Sequence, residues 1–381
     1  MTNCPIPNVR GSLRPEGLGT NGVLILGEAL GDHEREDGLP FRPQAPAGSV
    51  LERAIRRCGF AREQFALWNV VPTQPPHNYL EGAPYEAEAI AWGLELLPAI
   101  LAQFKPRVIL GLGNIPLKAL TQLSGIMTAR GYPLPSRYSI PYIGSLHPSF
   151  LRRGAMSYLG VLMHDIRFAF ALAAREWASG QNVGKPVEFW SPVLWRQVSY
   201  DVPPLRPLND PLIPPTYQCY PSENGALDFL RECAAQPERM IAYDIETPYG
   251  DAKETDEPDA DAPPDAILSI QFSLAPETGI FFPWREPFID IARRILALPN
   301  PKIGANCWRF DQPRLAANGV GIAGPHHDLR WGWKHFQPDL SASLQFVTSF
   351  YAPGLAPWKH LAKSHPQPYG IRDVDALQRC I

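Results

Sequence analysis

Apolar runs and amphipathic stretches alternate along the first half of the chain. Short apolar runs that suit buried parallel strands lie at residues 22–27, 66–71, 107–112 and 142–146. Apolar residues at helical spacing predict helices at residues 49–60, 85–104, 114–123 and 158–177. Strands that alternate with helices form a parallel sheet covered by helices. We therefore predict a doubly wound α/β domain over residues 1–178.

A second α/β pattern begins near residue 216 and predicts another domain over residues 216–381. Its predicted strands lie at 240–243, 266–275, 279–283 and 302–305, and its predicted helices at 224–235, 287–297, 309–318 and 339–351. Residues 179–215 are rich in Pro and lack either period, so we predict a stiff linker in which Phe189, Trp190 and Trp195 favour packing on a domain. The acidic run 251–265 is typical of a solvated insertion.

The composition is that of a globular protein. Hydrophobic residues make up 45% of the 381 residues and charged residues 19%. The net charge of −3 shows no overall basic field for nucleic acid. The six Cys are dispersed without a CxxC pair, which argues against a disulfide framework and a metal finger. No apolar signal core and no run of about 20 apolar residues is present, so we expect no membrane partner.

Chemically informative residues follow three strands of the first predicted domain. Glu28, Asn69 and His147 come at or after the carboxyl ends of these strands, where open α/β sheets bind ligands. The motifs read, in order, Gly27-Glu-Ala-Leu-Gly, Leu-Pro-Phe41, Asn69 followed by Pro-Pro-His-Asn78, and His147-Pro-Ser. This ordered set resembles the uracil-DNA glycosylase superfamily, most closely family 4, over about residues 20–175.

The resemblance implies excision of a flipped-out uracil from DNA. Asn69 would pair with O4 and N3–H of uracil, because an amide both donates and accepts. Phe41 would stack on the base, and His147 would donate to O2, where negative charge develops. Glu28 would orient the water or stabilise the sugar cation.

The residues after His147 are candidates for DNA contacts. Phe150 or Leu151 would fill the hole that a flipped base leaves in the duplex. Arg152 and Arg153 would hold phosphates.

Two departures from family 4 affect the expected chemistry. Leu30 replaces the Pro of the first motif. Family 4 also carries a 4Fe–4S cluster on four Cys, whereas only Cys4 is left of the N-terminal pair here and no Cys occurs near Ala91 or Trp92. We therefore predict that no iron–sulfur cluster is bound.

A second constellation of acidic residues spans three segments of the second domain. Asp244 and Glu246, at i and i+2 on a predicted strand, face the same side. Asn306-x-x-x-Phe-Asp311 and Tyr369-x-x-x-Asp373 follow. This order resembles the proofreading 3′–5′ exonuclease domain of family A DNA polymerases, of the DEDDy type.

This second resemblance implies an RNase H-like domain with a mixed sheet. Two Mg²⁺ or Mn²⁺ ions would be held by the four carboxylates, since clustered oxygen ligands suit hard divalent cations. The ligands would be Asp244, Glu246, Asp311 and Asp373, and Tyr369 would orient the attacking water.

Together the two resemblances favour a bifunctional DNA-processing enzyme, a uracil-DNA glycosylase fused to a 3′–5′ exonuclease. The alternative is an N-terminal piece of a family A DNA polymerase whose glycosylase-like domain binds DNA or uracil without turnover. The expected partners are uracil-containing DNA and DNA 3′ ends, with replication or repair proteins as further candidates. We expect a cytoplasmic, non-secreted protein of a bacterial or phage-infected cell.

Overall fold

A computed structural model describes the chain over residues 4–7, 11–175, 177–178, 181–182, 186–208, 210, 213–248 and 266–381. The chain forms two compact units. The first comprises residues 1–208 with 353–356, and the second comprises residues 209–352 with 357–381.

The first unit contains a six-stranded sheet with helices between the strands. The sheet strands are β1 (Glu16–Gly17), β2 (Val23–Ala29), β3 (Ala66–Val71), β4 (Val108–Leu112), β5 (Pro133–Pro135) and β6 (Pro141–Ser145). The helices are α1 (Pro46–Arg57), α2 (Glu86–Phe104), α3 (Asn114–Thr121), α4 (Ile126–Ala129), α5 (Pro148–Arg152) and α6 (Leu159–Ala173). The remaining strands are β7 (Trp177–Ala178), β8 (Gln181–Asn182), β9 (Val187–Ser191) and β10 (Arg196–Tyr200).

The centre of this sheet is parallel. The strand order is β1-β3-β2-β4-β6-β5, in which β3, β2, β4 and β6 are parallel and the two edge strands are antiparallel. Strands β3, β4 and β6 are buried throughout and β2 is buried up to Gly27, because helices cover the sheet. The predicted α/β sheet of parallel strands is confirmed. Its register sets Gly27 beside Asn69, which brings two predicted site loops together.

Residues 187–200 contain two strands, although the sequence predicted a linker without regular structure there. They form the β9–β10 hairpin, which packs on α6 through a stacked pair of rings, Phe168 and Phe189, with centroids 5.6 Å apart. The alternation of buried and exposed residues in β9 is the strand signal that the neighbouring Pro residues obscured. Phe189 packs as expected, whereas Trp190 and Trp195 are exposed.

The second unit is built on another six-stranded sheet. Its strands are β11 (Tyr217–Gln218), β12 (Ile241–Glu246), β13 (Ser269–Ser273), β14 (Gly279–Pro283), β15 (Lys302–Gly304) and β16 (His326–Asp328). Its helices are α7 (Glu223–Ala235), α8 (Phe288–Leu296), α9 (Asp311–Ala317), α10 (Leu329–Phe336), α11 (Leu344–Tyr351) and α12 (Pro366–Arg379).

This second sheet is mixed. In the order β11-β14-β13-β12-β15-β16, strands β14, β13 and β12 are antiparallel neighbours, whereas β12, β15 and β16 are parallel. Helix α12 packs on β12, β13 and β14. The sequence patterns located β12, β13, β14 and β15 and missed β11, β16, α10 and α12. The RNase H-like assignment stays a prediction, and the acidic run 251–265 lies outside the described residues.

Within the described residues, helix α2 is the one helix whose length and apolar composition would suffice to cross a membrane. It contacts β3 and buries Ile90, Leu97 and Ile100, as a helix at the side of a globular sheet does. The expected absence of a membrane partner stays a prediction.

Candidate active sites

A cavity of about 720 Å³ opens at the carboxyl ends of the parallel strands of the first unit. Its wall brings together seven of the residues predicted from the sequence. These are Glu28, Phe41, Asn69, His147, Phe150, Arg152 and Arg153. Glu28 and Asn69 lie towards the carboxyl ends of β2 and β3, and the others come from the loop after β2 and the segment after β6, which meet at one edge of the sheet.

Asn69 lines this cavity and carries a buried acceptor without a hydrogen-bond partner among the described residues. The side chain is 1% exposed, and its Oδ1 has no hydrogen-bond partner within the described residues. Gly27 has no side chain, and this makes room for the Asn69 amide and the Phe41 ring. A Cβ at this position would lie 2.3 Å from Asn69 Oδ1 and 2.4 Å from Phe41 Cζ. A buried amide oxygen without a partner is costly unless a ligand completes it.

Phe41 is held in an uncommon backbone conformation. Its φ of +50° lies in the left-handed region, which bulky residues rarely adopt. Gly48 permits the close approach, since a Cβ there would lie 2.4 Å from the Phe41 carbonyl oxygen. The Phe41 ring lies 5.7 Å from the His147 ring, centroid to centroid. Strain of this kind, held by the surroundings, is typical of binding sites.

His147 caps α5 and is neutral. The Ser149 backbone N–H donates to His147 Nδ1 over 3.2 Å. Since Nδ1 accepts, the ring proton is on Nε2, which makes Nε2 a donor. Burial, helped by the charge of Arg153, lowers the pKa of His147 to about 4. The neutral tautomer therefore dominates at physiological pH.

Glu28 titrates near neutrality. Burial and the negative charges of Glu81 and Glu86 raise its pKa from 4.5 to about 7, against the opposing charge of Arg153. Catalytic carboxylates commonly have pKa values displaced in this way by burial and by neighbouring charges.

Leu151 does not face the cavity, which corrects the prediction that it is a candidate to fill the duplex. It is 0% exposed and is not among the residues that line the cavity, whereas Phe150 is exposed and lines it. Successive residues of a helix point about 100° apart, which allows Leu151 to be buried while Phe150 is exposed. Arg152 and Arg153 are both exposed on its rim.

The rim also carries a polar network that the sequence patterns did not single out. Asp32 accepts hydrogen bonds from Gln74 Nε2 and, at 2.6 Å, from Asn78 Nδ2. These two bonds lower the pKa of Asp32. The network joins the loop after β2 to the loop after β3, and the only signal for it was the presence of polar residues in both loops.

A cluster of acids lies at the end of β12 in the second unit. Carboxylate oxygens of Asp244, Glu246 and Asp373 lie within 4.8 Å of one another. Asp311 lies beside this set rather than in it, since its Oδ1 accepts the backbone N–H of Ile245 at 3.0 Å. Three of the four predicted ligands are thus brought together, with the fourth adjacent.

Burial and neighbouring carboxylates raise the pKa values of Asp244 and Glu246. Burial and the charges of Asp311 and Asp373 raise the pKa of Asp244 well above its usual range. Burial and Asp373 raise the pKa of Glu246 to about 8, and burial raises that of Asp311 to about 7. Oxygen donors that repel one another in this way fit divalent cations, which neutralise the repulsion.

Two residues hold the third segment of this cluster. Lys359 Nζ donates to Tyr369 Oη at 2.7 Å and lies 3.4 Å from Asp373 Oδ2. Trp358 Nε1 donates to Asp373 Oδ1 at 2.7 Å. Tyr369 therefore stands next to the acids, as predicted from the sequence, and Lys359 is a cation in this site to which the sequence patterns gave no role.

Known proteins resemble the first unit. The uracil DNA glycosylase superfamily model matches residues 17–165. The type-4 uracil-DNA glycosylase of Thermotoga maritima is 30% identical over 179 residues, which are 46% of this chain and 90% of that protein. The chain belongs to the uracil-DNA glycosylase superfamily. Another type-4 enzyme, from Pyrobaculum aerophilum, is 39% identical over 126 residues, which are 32% of this chain and 60% of that protein.

The first unit, called the glycosylase unit below, has too few Cys to ligate a 4Fe–4S cluster through four thiolates. Of the six Cys in the sequence, only Cys4 and Cys58 belong to this unit. Cys58 is buried and donates to the Met163 carbonyl oxygen, while Cys4 lies 3.9 Å from Thr73 Oγ1. Two separate thiols do not fit a 4Fe–4S group, which needs four cysteine ligands.

Proposed function

We propose that the glycosylase unit excises uracil from DNA by hydrolysing the N-glycosidic bond. The observation that carries this proposal is that Asn69, whose buried Oδ1 has no partner among the described residues, and His147, with its Nε2 donor, line the same cavity. Uracil offers the complementary edge, with an N3–H donor and two carbonyl acceptors. Cytosine has an acceptor at N3 and would leave the Asn69 oxygen unpaired.

Each site residue has a separate role in the hydrolysis. Asn69 Oδ1 accepts N3–H, and Phe41 packs on the flipped base. Water adds to C1′ of the sugar while the bond to N1 breaks, its electron pair passes to the base, and the proton that the water loses neutralises the uracil anion. His147 Nε2–H donates to O2, where the negative charge collects. Ionised Glu28 orients the water and stabilises the positive charge on the sugar.

DNA would approach over the rim of the cavity. Phe150 is an exposed aromatic ring at this rim and is positioned to enter the duplex in place of the flipped base. Arg152 and Arg153 supply the positive charge for the flanking phosphates.

For the second unit we propose 3′–5′ exonuclease activity. The supporting observation is the set of carboxylates of Asp244, Glu246 and Asp373, with Asp311 adjacent. These four residues would hold two Mg²⁺ or Mn²⁺ ions, which when bound would activate water and stabilise the leaving 3′ oxygen. Tyr369 Oη, held by Lys359, would orient the water.

One experiment separates the two activities. A 5′-labelled strand with a single uracil is incubated with the full chain, with and without EDTA, and is then treated with alkali. We expect alkali-sensitive cleavage at the uracil under both conditions, because the glycosylase site uses hydrogen bonds. Shortening from the 3′ end should disappear in EDTA. Loss of both activities in EDTA would refute independent sites.

Single-turnover conditions distinguish the glycosylase from a module that only binds uracil. Binding of the uracil strand without any alkali-sensitive product would favour the binding module, for which Leu30 in place of Pro is the motivation. For the exonuclease, Asp244→Ala should reduce nucleotide release at least ~100-fold, while Tyr369→Phe should be milder because every carboxylate remains. Asp290→Ala, at an exposed acid of α8, is the matched control.

A further inference from the structure

Two exposed indoles stack on each other at the edge of the second sheet. Trp308 is 44% exposed and Trp331 is 39% exposed, and their rings are 27° from parallel with centroids 6.4 Å apart. The guanidinium of Arg309, itself exposed, lies 5.7 Å from the centre of the Trp331 ring. We call Trp308, Trp331 and Arg309 the tryptophan platform. It borders a cavity of about 570 Å³.

The fold holds this platform in place through Asp328. The Asp328 carboxylate accepts the backbone N–H groups of Asn306, Trp308 and Arg330 at 2.9–3.1 Å. These bonds tie the turn after β15, which carries Trp308, to the start of α10, which carries Trp331. These hydrogen bonds therefore hold together the two segments that carry the indoles.

The charges around the platform favour an anionic ligand. Asp328 is the only carboxylate side chain among the residues lining the cavity, and three N–H donors already satisfy it. The guanidinium of Arg309 lies beside Trp331 and supplies the positive charge. Exposed aromatic rings next to cations are what proteins use to bind unpaired nucleotides, with bases on the rings and phosphates on the cations.

The platform lies close to the acidic cluster along the chain and along the sheet. Trp308 and Asp311 are three residues apart, so their Cα atoms are at most ~11 Å from each other. Strands β12, β15 and β16 are parallel, so the cluster after β12 and the platform after β15 and β16 occupy one edge. A strand bound on the platform would have its end near the carboxylates.

We propose that the tryptophan platform binds single-stranded DNA and leads its 3′ end to the acidic cluster. The second part of this proposal rests on the exonuclease function proposed above, and the binding does not. Unpaired strands are selected because a duplex hides the faces of its bases in the stack. The expected specificity is for strandedness and not for sequence, since every base has a face that can stack.

The test is fluorescence anisotropy with the full chain in EDTA, where nuclease action is absent. The probe is a labelled adenine-only DNA strand of about ten nucleotides, which lacks uracil. We expect Trp308→Ala and Trp331→Ala each to weaken binding about five- to hundredfold, the range for a lost base stack. Arg309→Gln should reduce the salt slope of log K by about 0.7. Trp195→Ala, at an indole 64% exposed in the first unit, is the control and should bind as wild type.

Substitutions by larger apolar residues separate a loss of DNA binding from a loss of folding. If an alanine variant melts earlier than the wild type, Phe and Leu are compared at the same position. The platform requires Phe to bind close to wild type and Leu to bind as weakly as Ala, because only Phe keeps a ring. Equal binding by Phe and Leu would overturn the proposal. So would wild-type affinity in both alanine variants, or equal losses for single strands and duplex.

The outcomes also separate this proposal from the exonuclease. If the platform variants lose single-strand binding but the wild type releases no nucleotide with Mn²⁺, the platform stands and the exonuclease fails. If nucleotides are released and the platform variants bind normally, the platform is wrong and the exonuclease stands. A change in oligomeric state with unchanged DNA binding would assign this surface to protein contact and would refute the proposal.

Discussion

Glu28→Gln should make the glycosylase unit more stable and nearly inactive. Burial and two neighbouring acids raise the pKa of Glu28 from 4.5 to about 7, so the folded protein disfavours the ionised form. This difference corresponds to about 3 kcal/mol of free energy. Because Glu28 is partly in contact with solvent, we expect a gain of about 1–3 kcal/mol in the free energy of unfolding for the Gln variant.

The gain in the free energy of unfolding of Glu28→Gln over the wild type depends on pH. Below about pH 4.5 Glu28 is protonated in both the folded and the unfolded chain, and the variant should match the wild type. As the pH rises from about 4.5 to 7, the unfolded chain releases the proton first, and the wild type loses stability that the variant keeps. The gain should therefore grow over this window and level off above it.

Urea unfolding of the full chain near pH 4 and near pH 8 measures this effect. The transition of the second unit serves as an internal reference, and Glu88→Gln, at an exposed acid of α2, is the matched control. Uracil release should fall about 100-fold or more in Glu28→Gln. In the wild type it should rise through about pH 7, since the His147 pKa near 4 lies far below. An unchanged free energy of unfolding near pH 8 would refute the burial argument, and a flat pH profile would refute the role of ionised Glu28.

Three further predictions follow from the same unit. Asn69→Asp should weaken uracil cleavage and admit some cytosine, because a carboxyl changes the donor and acceptor pattern at N3 and position 4; wild-type uracil turnover would show that Asn69 does not read the base. Leu151→Ala should lower the free energy of unfolding by about 2–5 kcal/mol, whereas Phe150→Ala should leave it within about 1 kcal/mol and weaken DNA binding; the reverse pattern in urea unfolding and anisotropy would contradict the assigned orientations. Anaerobically purified protein should be colourless, without absorbance near ~400 nm, and stoichiometric iron and sulfide would overturn the prediction that no cluster is bound.

The sequence predicts the four central strands of the first unit and the meeting of its site residues at one edge of the sheet. Buried parallel strands read as short apolar runs, and their carboxyl ends must lie at one edge of the sheet. Glu28, Asn69 and His147 were therefore predicted to converge before any distance was known. The i, i+2 spacing of Asp244 and Glu246 likewise fixed a common face, because side chains alternate along a strand.

Only the tertiary structure decided which side chains face the cavities and how they titrate. A five-residue helix carries no period long enough to show that Leu151 packs inward and Phe150 outward. The pKa of Glu28 depends on burial and on Glu81 and Glu86, which are distant in sequence. The Trp308–Trp331 stack joins the turn after β15 to the start of α10, and Asp328 holds the two segments together by hydrogen bonds. These properties arise from contacts between segments, and a local pattern of residue types does not encode such contacts.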